Sequence, residues 1–282
     1  MATKRNLRSS SKSPFPPIYK IVDTKDSIKV LIINLKRRPD RLENVIHLKW
    51  NGMNVTRIEA VDGRDLQWSS PPIDSFVTAR AVRDATNAEK RNIATVDDTI
   101  DSFSPHLTLG AVACALSHRK AWETVISDNR SCLVIEDDVF DISPDIHSSV
   151  HRILDSLPKN ADICFVGHHM TNAVLANEKR PFEFKKKDET CPPIVTGLFS
   201  YIVTPKGARK LLKVTTTLST QLDVQISNHS HELEVFIPVR RRSNTPCLVL
   251  APESQESDVQ TYVSNGFVSH DSLPKTLERN IL

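Results

Sequence analysis

Glycine is scarce in this sequence, with 7 residues in 282. Neither G-x-G-x-x-G nor a Walker sequence occurs, which removes the two glycine-rich loops whose backbone N–H groups cradle nucleotide phosphates. A bound nucleotide would have to be held some other way. No run of about 18 apolar residues is present, so no transmembrane helix is expected. The five cysteines are Cys114, Cys132, Cys164, Cys191 and Cys247. They are odd in number, widely spread and form no C-x-x-C, which argues against a zinc site or a redox pair. Cys132 and Cys164 lie in apolar runs and read as small core residues. The net charge of +3, with His neutral, is too small to indicate nucleic acid without clustering. The N-terminal MATKRNLRSSSKSPFPP is basic, but no apolar stretch follows it. It does not read as a signal peptide, and a cytoplasmic location is the default expectation.

What is present is ordinary for a globular chain: 39% hydrophobic and 25% charged residues. Residues 1–27 read as a disordered basic tail, 28–262 as the folded domain and 263–282 as a peripheral C-terminal segment. Ile28 to Asn34 is a continuous apolar run, as in a strand buried on both faces. Pro39 then opens a helix with Leu42, Val45, Ile46 and Trp50 on one face. Val55 to Val61 gives a second strand. Residues 67–105 are polar and loop-like, with a short helix around 78–91. A helix is predicted over Gly110 to Asn129, a strand over Cys132 to Ile135, a helix near 146–156 and a strand over Asp162 to Val166. After a polar stretch at 168–192, Ile194 to Val203 is a strand. Thr204 and Pro205 then stand in N-cap order before a helix reaching about Lys213. A helix at 221–229 and a strand at 233–238 follow. Strands alternating with helices predict an α/β fold with a mostly parallel central sheet.

Two strand ends carry opposite charge. LVIEDDVF, residues 133–140, places Glu136, Asp137 and Asp138 directly after a buried strand, where uncompensated carboxylates are costly. On an extended backbone Glu136 and Asp138 face one way and Asp137 the other. Two carboxylates on one side can hold a hard divalent cation, and a solvated acidic turn is the plainer reading. NLKRRPDR, residues 34–41, ends its strand in positive charge. That charge can meet a diphosphate at the start of the next helix, or can be a solvated first turn. The two ends are complementary, and ligands of open α/β sheets bind at the carboxyl ends of strands. His118 lies mid-helix beside Ser117, Asp223 lies near a helix start, and Arg240, Arg241 and Arg242 form a late basic run. Each has a structural reading as well as a functional one. His168 and His169 carry no assignment.

These pieces, in order, resemble glycosyltransferase family 25, which includes bacterial lipooligosaccharide β-galactosyltransferases and procollagen galactosyltransferases. INLKRRPDR at 33–41, EAVDG at 59–63, LGAVACALSHRKAWE at 109–123 and LVIEDDV at 133–139 carry the resemblance. VTGLFSYIVTPKGARKLL at 195–212, Asp223 and PESQESDV at 252–259 extend it. Ala111 and Ala113 stand where the family usually has Glu and Gly. The resemblance implies a GT-A-type α/β fold and transfer of a hexose, galactose or glucose, from a UDP-sugar with inversion. The acceptor would be a hydroxyl on a glycan or protein, as in lipopolysaccharide biosynthesis. It implies Mn²⁺ or Mg²⁺ at Glu136 and Asp138, and donor contacts from Asn34, Arg37, Arg38, Arg41, Asp62, His118 and Glu136. Asp223 is implied as the catalytic base. The alternative is a non-catalytic nucleotide-sugar-binding or interaction protein that retains the fold.

Overall fold

A computed structural model describes residues 27–48, 50, 52–71, 73–97, 102–104, 106–169, 183–186, 196–239, 247–251, 262–264 and 267–269. Nearly all of the basic tail, Cys191, Arg240 to Arg242, the 252–259 segment and most of 263–282 lie outside these residues.

In chain order the strands and helices begin with β1 (Lys29–Asn34), α1 (Pro39–His47) and β2 (Asn54–Glu59). After a 3₁₀ turn at Gly63–Asp65 come α2 (Ile73–Phe76), α3 (Ala79–Lys90), β3 (Val96–Asp97), β4 (Ser102–Phe103) and α4 (Leu109–Asp128). Next are β5 (Cys132–Glu136), β6 (Asp141–Ile142), α5 (Ile146–Ser156), β7 (Ile163–His169), β8 (Glu183–Lys186) and β9 (Thr196–Val203). The last are α6 (Pro205–Val214), α7 (Leu222–Asn228), β10 (Val235–Val239), β11 (Val249–Leu250), β12 (Tyr262–Ser264) and β13 (Phe267–Ser269).

The main sheet has seven strands in the order β2-β1-β5-β9-β7-β10-β8. β2, β1, β5, β7 and β10 run the same way, and β9 and β8 are reversed. This is the mostly parallel α/β sheet, flanked by helices, that the sequence led us to expect. Period-two alternation along the strands builds a separate core on each face. Val30, Ile32, Leu133, Ile135 and Ile202 pack with Val45 of α1 and with Val150 and Ile153 of α5. Leu31, Ile33, Val134 and Tyr201 pack with α4, α6 and α7 through Trp122, Leu211 and Ile226. Coverage of both faces is why these strands read as unbroken apolar runs. Two smaller sheets are also present, β11-β6 and β13-β12-β3-β4.

Caps fix where several helices begin. The Thr204 hydroxyl accepts from the Gly207 N–H, with Pro205 in the first turn. Thr108 and Thr78 cap α4 and α3 in the same way. Two expectations change. Ile46 is 48% exposed, because α1 buries Leu42 and Val45 and ends at His47. Trp50 is buried beyond the helix, its indole N–H donating to the Val45 carbonyl at 2.7 Å. The 67–105 stretch holds more structure than its polarity suggests: α2, α3 and the short β3–β4 pair.

Candidate active site

β1 and β5 are parallel neighbours, with Ile33 opposite Glu136. Their carboxyl ends therefore stop side by side, which brings the basic and acidic segments together. Between these ends and α4 lies a cleft of about 80 Å³ whose walls include Arg37, Arg41, Cys114, His118, Glu136 and Asp138. The turn at Gly63 closes down on the start of α4. A Cβ on Gly63 would sit 2.9 Å from both the Cα and the N of Gly110, so only glycine permits this approach. Ser117 anchors the same junction, accepting from the Val61 N–H at 2.8 Å and donating to the Ala113 carbonyl at 2.7 Å.

On the basic side each arginine already has a carboxylate partner. Arg37 pairs with Asp62 at 2.6 Å, Arg38 with Asp40 at 2.9 Å and Arg41 with Asp137 at 3.4 Å. Arg37 and Arg41 line the cleft, whereas Arg38, Asp62 and Asn34 do not. Asn34 is buried, and its amide is fully engaged within the protein. It donates to the Arg38 carbonyl at 2.9 Å and to Asp137 Oδ2 at 2.6 Å, and it accepts from Arg57 at 2.9 Å.

On the acidic side the expected alternation stops early. β5 ends at Glu136, and Asp137 and Asp138 lie in the turn that follows, so the facing of Asp138 is set by that turn and not by strand pleating. All three carboxylates line the cleft. Burial pushes the Asp137 carboxyl up, with Arg41 and Asn34 opposing. Asp138 is pushed up to about 7 by burial and then by the charges of Glu136 and Asp137. Its Oδ1 is buried without a hydrogen-bond partner. A buried carboxylate oxygen with no donor, beside two more carboxylates, suits a hard cation that takes oxygen ligands.

Glu136 Oε1 lies 3.0 Å from His118 Nε2, and His118 is fully buried. Cys114, His118 and Glu136 place one ligand atom each within 4.8 Å of one another. Burial raises the Cys114 thiol well above its ordinary range, reinforced by Glu136, Asp223 and Asp138. Asp223 does not line the cleft, yet its charge reaches both Cys114 and Glu136. It accepts from the N–H of Gly197 at 3.2 Å and of Val224 at 2.8 Å, while burial raises its carboxyl. A larger cavity of about 640 Å³, lined by Arg80, Asp84, Asn87, Arg91 and His106 among others, shares no residue with the cleft. Its polar walls hold no comparable group of converging carboxylates.

The sequence reading did not single out Cys114, Tyr201 or Arg57. Cys114 and Tyr201 lie within the segments that resemble the family. Their signal was position: Cys114 stands one helical turn before His118, and so on the same face of α4.

The sequence profile of glycosyltransferase family 25, described as an LPS biosynthesis protein, matches residues 27–226. The chain belongs to glycosyltransferase family 25. The match takes in both charged strand ends, α4, β9 and Asp223. One relative, a protein of Acanthamoeba polyphaga mimivirus named "putative glycosyltransferase", is 23% identical over 194 residues, 65% of this chain and 52% of the relative. A glycosyltransferase 25 family member of Drosophila pseudoobscura pseudoobscura is 24% identical over 225 residues, 73% of this chain and 32% of the relative. The human protein named inactive glycosyltransferase 25 family member 3 is 27% identical over 196 residues, 65% of this chain and 28% of the relative. The chain thus spans about half the length of the viral relative and about a third or less of these animal ones. Among the described residues of this family 25 chain, no helix is long and apolar enough to cross a membrane.

Proposed function

We propose that the chain is an inverting hexosyltransferase, moving galactose or glucose from a UDP-sugar to a hydroxyl on a glycan or protein. The observation that carries this reading is the buried, unpartnered Oδ1 of Asp138 beside Glu136, one strand away from Arg37 and Arg41. Glu136 and Asp138 would hold Mn²⁺ or Mg²⁺, which when bound supplies stabilisation of the charge developing on the leaving UDP. Arg37 and Arg41 would give diphosphate oxygens the N–H donors they now share with Asp62 and Asp137. Asp223 would take the acceptor's hydroxyl proton as that oxygen bonds to the anomeric carbon and the sugar–phosphate bond breaks. Burial raises its proton affinity, as a general base near neutral pH requires. Asn34 and Asp62 would act by holding Asp137 and Arg37. A lipopolysaccharide-type acceptor is the choice suggested by the family's description.

The test is UDP-galactose hydrolysis with Mn²⁺ by the wild type and by Asp138→Ala. Loss of about a hundredfold in the variant is expected. Equal inertness, with UDP still bound by the wild type, turns the reading to a binding protein that retains the fold. That second reading is favoured by the relatives named inactive, and Ala111 and Ala113 on the cleft helix fit it.

A further inference from the structure

Trp122, Tyr201, His118 and Glu136 form one continuous polar chain inside an apolar core. The Trp122 indole N–H donates to the Tyr201 hydroxyl at 2.8 Å. That hydroxyl lies 2.8 Å from His118 Nδ1, and His118 Nε2 lies 3.0 Å from Glu136 Oε1. Trp122, Tyr201 and His118 are 0% exposed, so among the described residues the chain opens only at Glu136.

Donor and acceptor rules give the chain a single direction. An indole nitrogen only donates, so the Tyr201 oxygen accepts there. Burial keeps the phenol protonated. Its proton needs an acceptor, and the only other partner of the hydroxyl among the described residues is His118 Nδ1. Nδ1 is then the unprotonated nitrogen of a neutral ring, and the ring proton sits on Nε2, aimed at Glu136. From this geometry we infer that His118 is a positioning residue, locked by Tyr201 and Trp122 as the Nε2–H tautomer to hold the Glu136 carboxylate in place. The inference rests on the reading of Glu136 as a ligand-facing carboxylate of the cleft.

One consequence concerns Cys114, His118 and Glu136, which are close enough to suggest a metal group of their own. Such a group needs Nε2 stripped of its proton, and Tyr201 would then lose its acceptor. His118 therefore stands behind Glu136 and does not join it as a ligand. Glu136 Oε1 is taken by the imidazole N–H, and Oε2 is left for the cleft.

Nitrogen-15 NMR of the histidine rings in the full chain reads the tautomer directly. Wild-type His118 is expected to show protonated Nε2 and bare Nδ1. In Tyr201→Phe, which removes only the hydroxyl, that pattern should be lost and Mn²⁺ should bind about tenfold more weakly. Trp122→Phe frees the hydroxyl to turn and should give a mixture of tautomers. A wild-type ring protonated at Nδ1, or a pattern unchanged in Tyr201→Phe, overturns the inference. The wild-type spectrum decides the matter even if a variant fails to fold. It also decides it if Mn²⁺ does not bind, an outcome that counts instead against the metal reading.

Discussion

Asn34 donates to Asp137 Oδ2 at 2.6 Å, across the boundary between β1 and β5. One buried amide thus holds the acidic turn against the basic loop, and it does so with every polar atom already engaged. Replacing it with Ala removes one hydrogen bond each from Asp137, the Arg38 carbonyl and the Arg57 guanidinium in one step, while Arg41 still meets Asp137 and Glu59 still meets Arg57. Asn34→Ala is expected to lose about 3 kcal/mol of stability in urea unfolding, since three hydrogen bonds go at about 1 kcal/mol each. A loss under about 0.5 kcal/mol would show that water replaces the amide.

Asp138 makes stability depend on pH. Its carboxyl titrates at about 7 when folded, against an ordinary 3.8. The folded state therefore holds the proton more tightly than the unfolded state. Stability contributed by the neutral carboxyl is full below 3.8 and is lost as pH rises through 7. Asp138→Asn keeps the shape without the charge. It is expected to match the wild type near pH 4 and to exceed it by on the order of 2 kcal/mol near pH 8. Denaturant titrations at the two pH values check this, and a gap that does not widen with pH refutes it.

Gly63→Ala tests the close approach of the 3₁₀ turn to α4. The added Cβ meets backbone atoms of Gly110 that cannot swing aside. We expect a loss of about 1–3 kcal/mol and weaker UDP binding by calorimetry, because the turn forms one wall of the cleft. Unchanged UDP affinity would separate that wall from the nucleotide.

Arg119 belongs to the scaffold rather than the cleft. Its Nη1 donates to the carbonyls of Leu212 and Thr215 at 2.9 Å, closing the C-terminal end of α6, and the guanidinium lies 5.4 Å over the Phe76 ring. Arg119→Ala should lower stability by about 2 kcal/mol while leaving Mn²⁺ binding alone. Thermal unfolding with and without Mn²⁺ reads both quantities.

Local signals carried much of this architecture. The unbroken apolar runs at 29–34 and 132–135, and the Thr204–Pro205 cap, each name an element that forms as expected. Their strength is that strand burial and capping are decided by neighbours along the chain. What stayed illegible depends on partners far away in sequence. The place of β9 between β5 and β7 is fixed by pairing across more than 60 residues on one side. The carboxylate partners of Arg37 and Arg41 are 25 and 96 residues distant. Asp138 shows a different limit: the alternation rule holds only while the strand continues, and this one ends two residues earlier.

The reversed strand β9 has a bearing on how the chain assembles. It lies between β5 and β7 and, among the described strands, it alone joins β2-β1-β5 to the β7-β10-β8 side. As the polypeptide is synthesised, β1, β2 and β5 can pair as soon as they emerge. β7 has no neighbour in the sheet until residues 196–203 arrive. Until then β5 presents an open edge, apolar from Cys132 to Ile135, the kind that recruits other chains. A nascent or truncated chain ending before residue 203 is therefore the form most exposed to aggregation, and sealing that edge is the step that commits the two halves to one molecule.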